Sequence, residues 1–176
     1  DDAISIRDYV SGRQVKQAVV VGGGFIGLEM AENLKEQGVS VTVIDAAAQI
    51  LPDILDPEMA AYVKRHLAQK GIRVLTNTKA VRIEGEAEVS GIRTDSALLS
   101  CGLVVMAVGI RPNTAFLQDS GVELDKGKIV VDSMLRTNVA DIFAAGDCAV
   151  VTNRLTGKRQ WSPMGSSANL EGRTLA

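Results

Sequence analysis

Apolar residues along this chain come in short blocks, and their spacing changes from block to block. The run QAVVV at 17–21 is continuous, β-branched and closed by glycine, the pattern of a strand covered on both faces. From 25 to 37, Ile26, Met30 and Leu34 recur every four residues beside Gly27 and Ala31, and Gly38 supplies a stop, which predicts an amphipathic helix. Residues 39–45 (VSVTVID) return to β-branched strand chemistry. A strand, glycine turn, helix and strand this closely spaced predict a right-handed βαβ crossover.

Asp56-Pro57 then offers a cap and a first-turn proline, Met59, Val63 and Leu67 form a helical stripe, and Gly71 ends it. A third strand is expected at 72–75. Between 79 and 100 the pattern becomes three short strand-like pieces, 80–83, 88–92 and 97–99, separated by Gly85 and Thr94-Asp95, as in an antiparallel meander. Residues 103–108 (LVVMAV) read as a central strand. Arg111-Pro112-Asn113 breaks the chain, which places the domains at 14–114 and 115–176. The second region is expected to hold strands at 129–131 and 142–144, a Gly-Asp turn, and a helix over 163–176. Residues 1–13 are polar without a sustained period and read as a lead-in with one helical turn.

Composition narrows the chemistry. The chain has 176 residues, 19 basic against 21 acidic, and 3% aromatic, so it presents neither a positive field nor stacking platforms for nucleic acid. No apolar run approaches the roughly 20 residues a membrane span needs, and no positively charged start precedes an apolar signal stretch. The expectation is a cytoplasmic protein with no membrane partner. Two cysteines, Cys101 and Cys148, and one histidine, His66, are too few for a four-ligand zinc site, a CxxC pair or a histidine triad. No metal is expected.

Of the glycines, four fall within 22–27, where Gly22-Gly-Gly-Phe-Ile-Gly27 satisfies G-x-G-x-x-G between the predicted strand and helix. In that context Gly22 permits the tight turn, Gly24 lets the backbone approach a pyrophosphate, and Gly27 lets helix and strand pack closely. The phosphates would sit on amides at the positive helix end. Asp45, closing the second strand, would accept hydrogen bonds from the adenosine ribose and repel a 2′-phosphate, with no arginine in the following Ala46-Ala-Ala-Gln49. NAD(H) is therefore expected over NADP(H). Glu29 near the helix start is favourable to the dipole whether or not it has a further role. Asp147, in TNVADIFAAGD at 137–147, lies beyond a strand end where α/β sheets bind ligands, although an ordinary Gly-Asp turn reads the same way.

Taken together, GGGFIGLEMAENL, VTVID, AVGIRPNT and TNVADIFAAGDC resemble the NAD-domain and second flavin motifs of the pyridine nucleotide-disulfide oxidoreductases. Gly-Phe-Ile-Gly-Leu-Glu, Gly-Ile-Arg-Pro-Asn and the closing Ala168-Asn-Leu-Glu-Gly-Arg173 are most similar to the branch of CoA-disulfide reductases, NADH oxidases and NADH-dependent persulfide reductases. The resemblance implies an α/β, Rossmann-like three-layer FAD/NAD(P)-binding fold, with a parallel sheet and an antiparallel meander, followed by part of a second FAD-binding domain. It implies a flavoprotein that passes a hydride from NADH to FAD and then to a disulfide, persulfide, peroxide or oxygen. Gly22, Gly24 and Gly27 would hold the NADH pyrophosphate and Asp45 the adenosine ribose, with Ile26 also among the cofactor-binding residues. Phe25 would gate the nicotinamide face of the flavin, and Glu29 would stand near the nicotinamide. Gly109 would be a close-approach glycine, and Asp147 would bind the FAD ribityl chain. The family's first flavin motif, redox cysteine and dimerisation domain have no counterpart here, so the chain reads as part of a homodimeric parent, inactive alone, with neither Cys101 nor Cys148 catalytic. A ferredoxin- or rubredoxin-reductase-like flavoprotein and a non-catalytic NADH-binding module remain open alternatives.

Overall fold

The computed structural model describes residues 2–176, which divide into two compact units at Gly109/Ile110. The boundary expected from the sequence lies five residues later. Residues 110–114 join the second unit because the buried Thr114 hydroxyl donates to the Gly127 carbonyl at 2.7 Å.

The first unit is built on four parallel strands in the order β3-β2-β1-β7: β1 (Gln17–Val21), β2 (Ser40–Ile44), β3 (Arg73–Leu75) and β7 (Leu103–Met106). Alternate residues of β1 explain its unbroken apolar run. Ala18 and Val20 join a core with Val10, Ala31, Leu34, Ala60 and Leu67 from helices α1 (Asp2–Arg13), α2 (Phe25–Glu36) and α3 (Pro57–Gln69). Val19 and Val21 face the other way, packing with Ile44, Ile92 and Cys101 against the antiparallel meander β4 (Ala80–Glu84), β5 (Gly91–Thr94) and β6 (Leu98–Ser100). The unit thus has three layers, with the expected parallel sheet and meander.

Several local expectations are corrected. The lead-in, apart from residue 1 outside the described residues, is a 12-residue helix rather than one turn. Val10 is buried and Ile6 packs beside it, so two residues four apart anchor a helix whose sequence shows no stripe. Met59 is 48% exposed, and Ala60 takes its place in the α3 core with Leu67. The second meander strand starts at Gly91 rather than 88. Strand β7 lies at a sheet edge, not the centre, and has no fully buried residue.

The second unit carries a four-stranded mixed sheet of order β11-β10-β9-β8, formed by β8 (Leu124–Asp125), β9 (Lys128–Val130), β10 (Ala149–Thr152) and β11 (Arg159–Gln160). Strands β9 and β10 are parallel. Val122, Ile129, Val131, Leu135, Ala144 and Ala149 form its core, and helix α4 (Gly165–Leu175) closes the chain. Residues 142–144 do not form a strand; Phe143 makes only an isolated bridge to Arg136. No helix among the described residues is long and apolar enough to cross a membrane.

Candidate functional site

The turn from β1 into α2 is held by contacts that separate its glycines into two kinds. Gly22 adopts φ +112°, and a Cβ there would run into the Ala107 carbonyl at the end of β7. A Cβ on Gly27 would meet the Gly22 carbonyl and lie 3.4 Å from the Ala107 methyl. Close packing of strand, turn and helix therefore requires both. Gly24 differs. Its backbone is extended at φ −81°, ψ −178°, and a Cβ there would meet nothing within 4 Å. The protein's own packing leaves that position open.

Gly24 is also the N-cap of α2, which no side chain caps. In α3, by contrast, the Asp56 carboxylate accepts from Met59 N at 2.9 Å behind Pro57. The first turn of α2 contains no acid, because Glu29, near the helix start, falls just beyond it. A 12-residue helix thus ends in uncapped N–H groups, with no nearby carboxylate on its own first turn to compete with an anion. Phe25 and Ile26 flank the turn at 46% and 56% exposure, and Glu29 is exposed as well.

Asp45 is tied into the turn itself. Its Oδ2 accepts from Gly23 N at 2.6 Å and its Oδ1 from Ala47 N at 2.7 Å. Gly23 is further fixed through its carbonyl, which accepts from Leu51 N at 3.0 Å. Leu51 is a buried leucine at φ +49°. Sequence reasoning assigns Asp45 to the ribose alone and misses this bracing; only folding brings residues 22 positions apart together. Each carboxylate oxygen keeps a further lone pair, and Asp45 is half-buried beside an exposed Ala46. Gly109, after β7, has φ +102° and open space where a Cβ would be.

Asp147 belongs to the second unit. It sits exposed in a one-turn 3-10 helix, Gly146–Cys148. Gly146 N donates to Glu171 Oε2 at 2.6 Å, and the Asp147 carbonyl accepts from Trp161 Nε1 at 2.9 Å. Glu171 stands within the quoted 168–173 motif, but no role could be read for it without its partner. Cys101 is buried, and burial pushes its thiol above the usual range; Cys148 is half-buried and donates to the Ala145 carbonyl at 3.4 Å. Among the described residues no group of three or more His, Cys, Asp or Glu side chains is placed to hold a metal.

The sequence profile described as "Pyridine nucleotide-disulphide oxidoreductase" matches residues 2–167. An NADH oxidase of Methanocaldococcus jannaschii is 36% identical over 173 residues, 98% of this chain and 39% of its own length. A CoA-dependent NAD(P)H sulfur oxidoreductase of Pyrococcus abyssi is 36% identical over 97% of this chain and 38% of its own. The chain spans about two fifths of these relatives. Among solved structures, an FAD-dependent pyridine nucleotide-disulphide oxidoreductase from Desulfovibrio vulgaris is 43% identical at a TM-score of 0.86, covering 92% of this chain and 41% of its own. The water-forming NADH oxidase of Lactobacillus brevis, solved with NADH, is 28% identical at 0.88, covering 99% and 39%. Its engineered NADPH-oxidase form, solved with NADPH, is 25% identical at 0.88 with the same coverage. With the profile matched over nearly its whole length, this chain belongs to the pyridine nucleotide-disulphide oxidoreductase family.

Proposed function

We propose that the β1–α2 turn binds NADH and that the chain is the nicotinamide-binding part of an FAD-dependent oxidoreductase, with Asp147 serving the flavin. The observation that carries this reading is Gly24. The fold needs no glycine there, yet one stands in open space in front of an uncapped helix, which is what a pyrophosphate lying against the amides requires.

When bound, NADH supplies a hydride and FAD takes it up, for delivery to a disulfide, persulfide, peroxide or oxygen. The chain's residues orient and select. Gly22 and Gly27 keep the turn tight enough for the α2 amides to converge on the phosphates. Asp45, fixed by Gly23 and Ala47, offers its remaining lone pairs to ribose hydroxyls. Phe25 and Ile26, half-exposed beside the turn, form an apolar wall for the nicotinamide end, and Glu29 supplies a carboxylate one turn along the helix. The exposed Asp147 carboxylate accepts from flavin ribityl hydroxyls.

The engineered Lactobacillus brevis enzyme supports Asp45 as the selector. Its NADPH form changes a glycine, an aspartate 18 positions later, the alanine and methionine after it, and a proline seven positions beyond that aspartate. Here Gly27, Asp45, Ala46, Ala47 and Pro52 stand at the same spacings. In that enzyme the aspartate becomes alanine and the next residue arginine. The test is the double variant Asp45→Ala with Ala46→Arg in the full-length protein, titrated with NADH and NADPH. The expected result is inversion of a preference for NADH; a wild type that favours NADPH, or a double variant that still prefers NADH, overturns the reading.

A further inference from the structure

The Gly146–Asp147–Cys148 turn is gripped from two sides by side chains distant in sequence. From α4, Glu171 Oε2 accepts from Gly146 N at 2.6 Å, and the Ala168 methyl lies 3.4 Å from where a Gly146 Cβ would stand. From the segment after β11, Trp161 Nε1 donates to the Asp147 carbonyl at 2.9 Å. The indole is in turn covered by the Lys128 ammonium, 4.7 Å from its ring centroid. Gly146 adopts φ +79°, a left-handed conformation. The turn is therefore set through its backbone on both sides of Asp147, while the Asp147 side chain stays exposed.

We infer that Glu171 and Trp161 are positioning residues that fix the Gly146–Asp147 backbone so that the Asp147 carboxylate is already aimed at the flavin's ribityl hydroxyls before FAD arrives. This rests on the reading of Asp147 as a flavin ligand. Two features make the arrangement more than packing. A carboxylate on a backbone amide is a charge-assisted bond that resists rotation of the turn. Both contacts also engage main-chain atoms on either side of the one side chain left pointing outward. A ligand group held in advance spares FAD the ordering cost it would otherwise meet on binding.

The experiment compares Glu171→Ala, Glu171→Gln, Trp161→Phe and Asp147→Ala in the full-length protein. The FAD dissociation constant is measured by titrating the apoprotein and following quenching of flavin fluorescence, alongside thermal unfolding of each apoprotein. Glu171→Ala and Trp161→Phe are each expected to weaken FAD by up to about tenfold, the scale of one lost hydrogen bond. Glu171→Gln keeps an acceptor for Gly146 N and is expected to recover most of the affinity. Unchanged FAD affinity in Glu171→Ala and Trp161→Phe, with Asp147→Ala weakened, overturns the positioning role and leaves Asp147 as ligand. Unchanged affinity in Asp147→Ala, which removes the acceptor altogether, overturns the ligand reading and the positioning role with it. Lower thermal stability with unaltered FAD affinity in the two clamp variants also overturns the proposal. Should Glu171→Ala fail to fold, Glu171→Gln and Trp161→Phe decide it by the same criteria.

Discussion

Replacing Gly24 by alanine should separate binding from folding, because the structure makes the methyl nearly neutral for folding and obstructive for a ligand on the α2 amides. The backbone at φ −81°, ψ −178° is open to any L-residue, and the new methyl meets nothing within 4 Å. Lower entropy of the unfolded chain favours alanine over glycine by about 0.4–1 kcal/mol, while the preference for glycine over alanine at an N-cap opposes it on a similar scale. The net change in stability is expected within about 0.5 kcal/mol, read from urea unfolding. Dinucleotide affinity should fall much further. A methyl in front of the α2 amides holds a phosphate away from one or two charge-assisted hydrogen bonds, about 1.5–3 kcal/mol, which corresponds to roughly 10- to 150-fold in the NADH dissociation constant. Gly22→Ala provides the contrast. At φ +112°, with the Ala107 carbonyl in the way, it is expected to lose about 1–3 kcal/mol of stability. NADH affinity in Gly24→Ala equal to wild type would refute the reasoning and place the pyrophosphate elsewhere.

Three further outcomes follow from other contacts. Asp56→Ala removes the only side-chain cap of α3, the 2.9 Å bond to Met59 N, and should lower unfolding stability by about 1 kcal/mol; no shift in the urea midpoint would show the cap to be idle. Hydrogen bonds from Arg82 and then Arg93 hold Glu84 below the usual glutamate range. A lowered folded pKa means that this stabilisation is present above the unfolded value of about 4.3 and is lost as pH falls through the folded one. Glu84→Gln should therefore show a flatter acid limb than wild type below about pH 5, and parallel acid limbs would contradict the assignment. Burial keeps the Cys101 thiol protonated into alkaline solution, so iodoacetamide near about pH 8 should label half-buried Cys148 first and Cys101 only after unfolding. Equal labelling of the two in native protein would count against it.

The elements around the glycine turn were legible because burial on two faces imposes its own pattern on a strand. Neighbours such as Val19 and Val20 must both be apolar when one faces a meander and the other faces helices. Lead-in helix α1 was not legible, since two anchoring residues, Ile6 and Val10, produce no periodicity and its stability comes from the surface it lies on. The triplet at 142–144 shows the reverse failure: its apolar residues suggest a strand, but only Phe143 finds a bridge partner. In the candidate site, the glycines and Asp45 could be named from spacing alone. That Gly24 is structurally dispensable while Gly22 and Gly27 are not depends on where the Ala107 carbonyl arrives against Gly22 and the Gly22 carbonyl against Gly27.

By itself, then, the sequence determined which segments alternate between strand and helix, and which carboxylate closes the second strand, because backbone geometry ties side-chain direction to periods of about two and 3.6. Tertiary structure alone decided that Asp45 braces Gly23, that β7 lies at an edge, and that Glu171 and Trp161 meet at the Gly146–Asp147 turn. A hydrogen bond between distant residues leaves no period in the chain, since its geometry exists only once packing has brought donor and acceptor together.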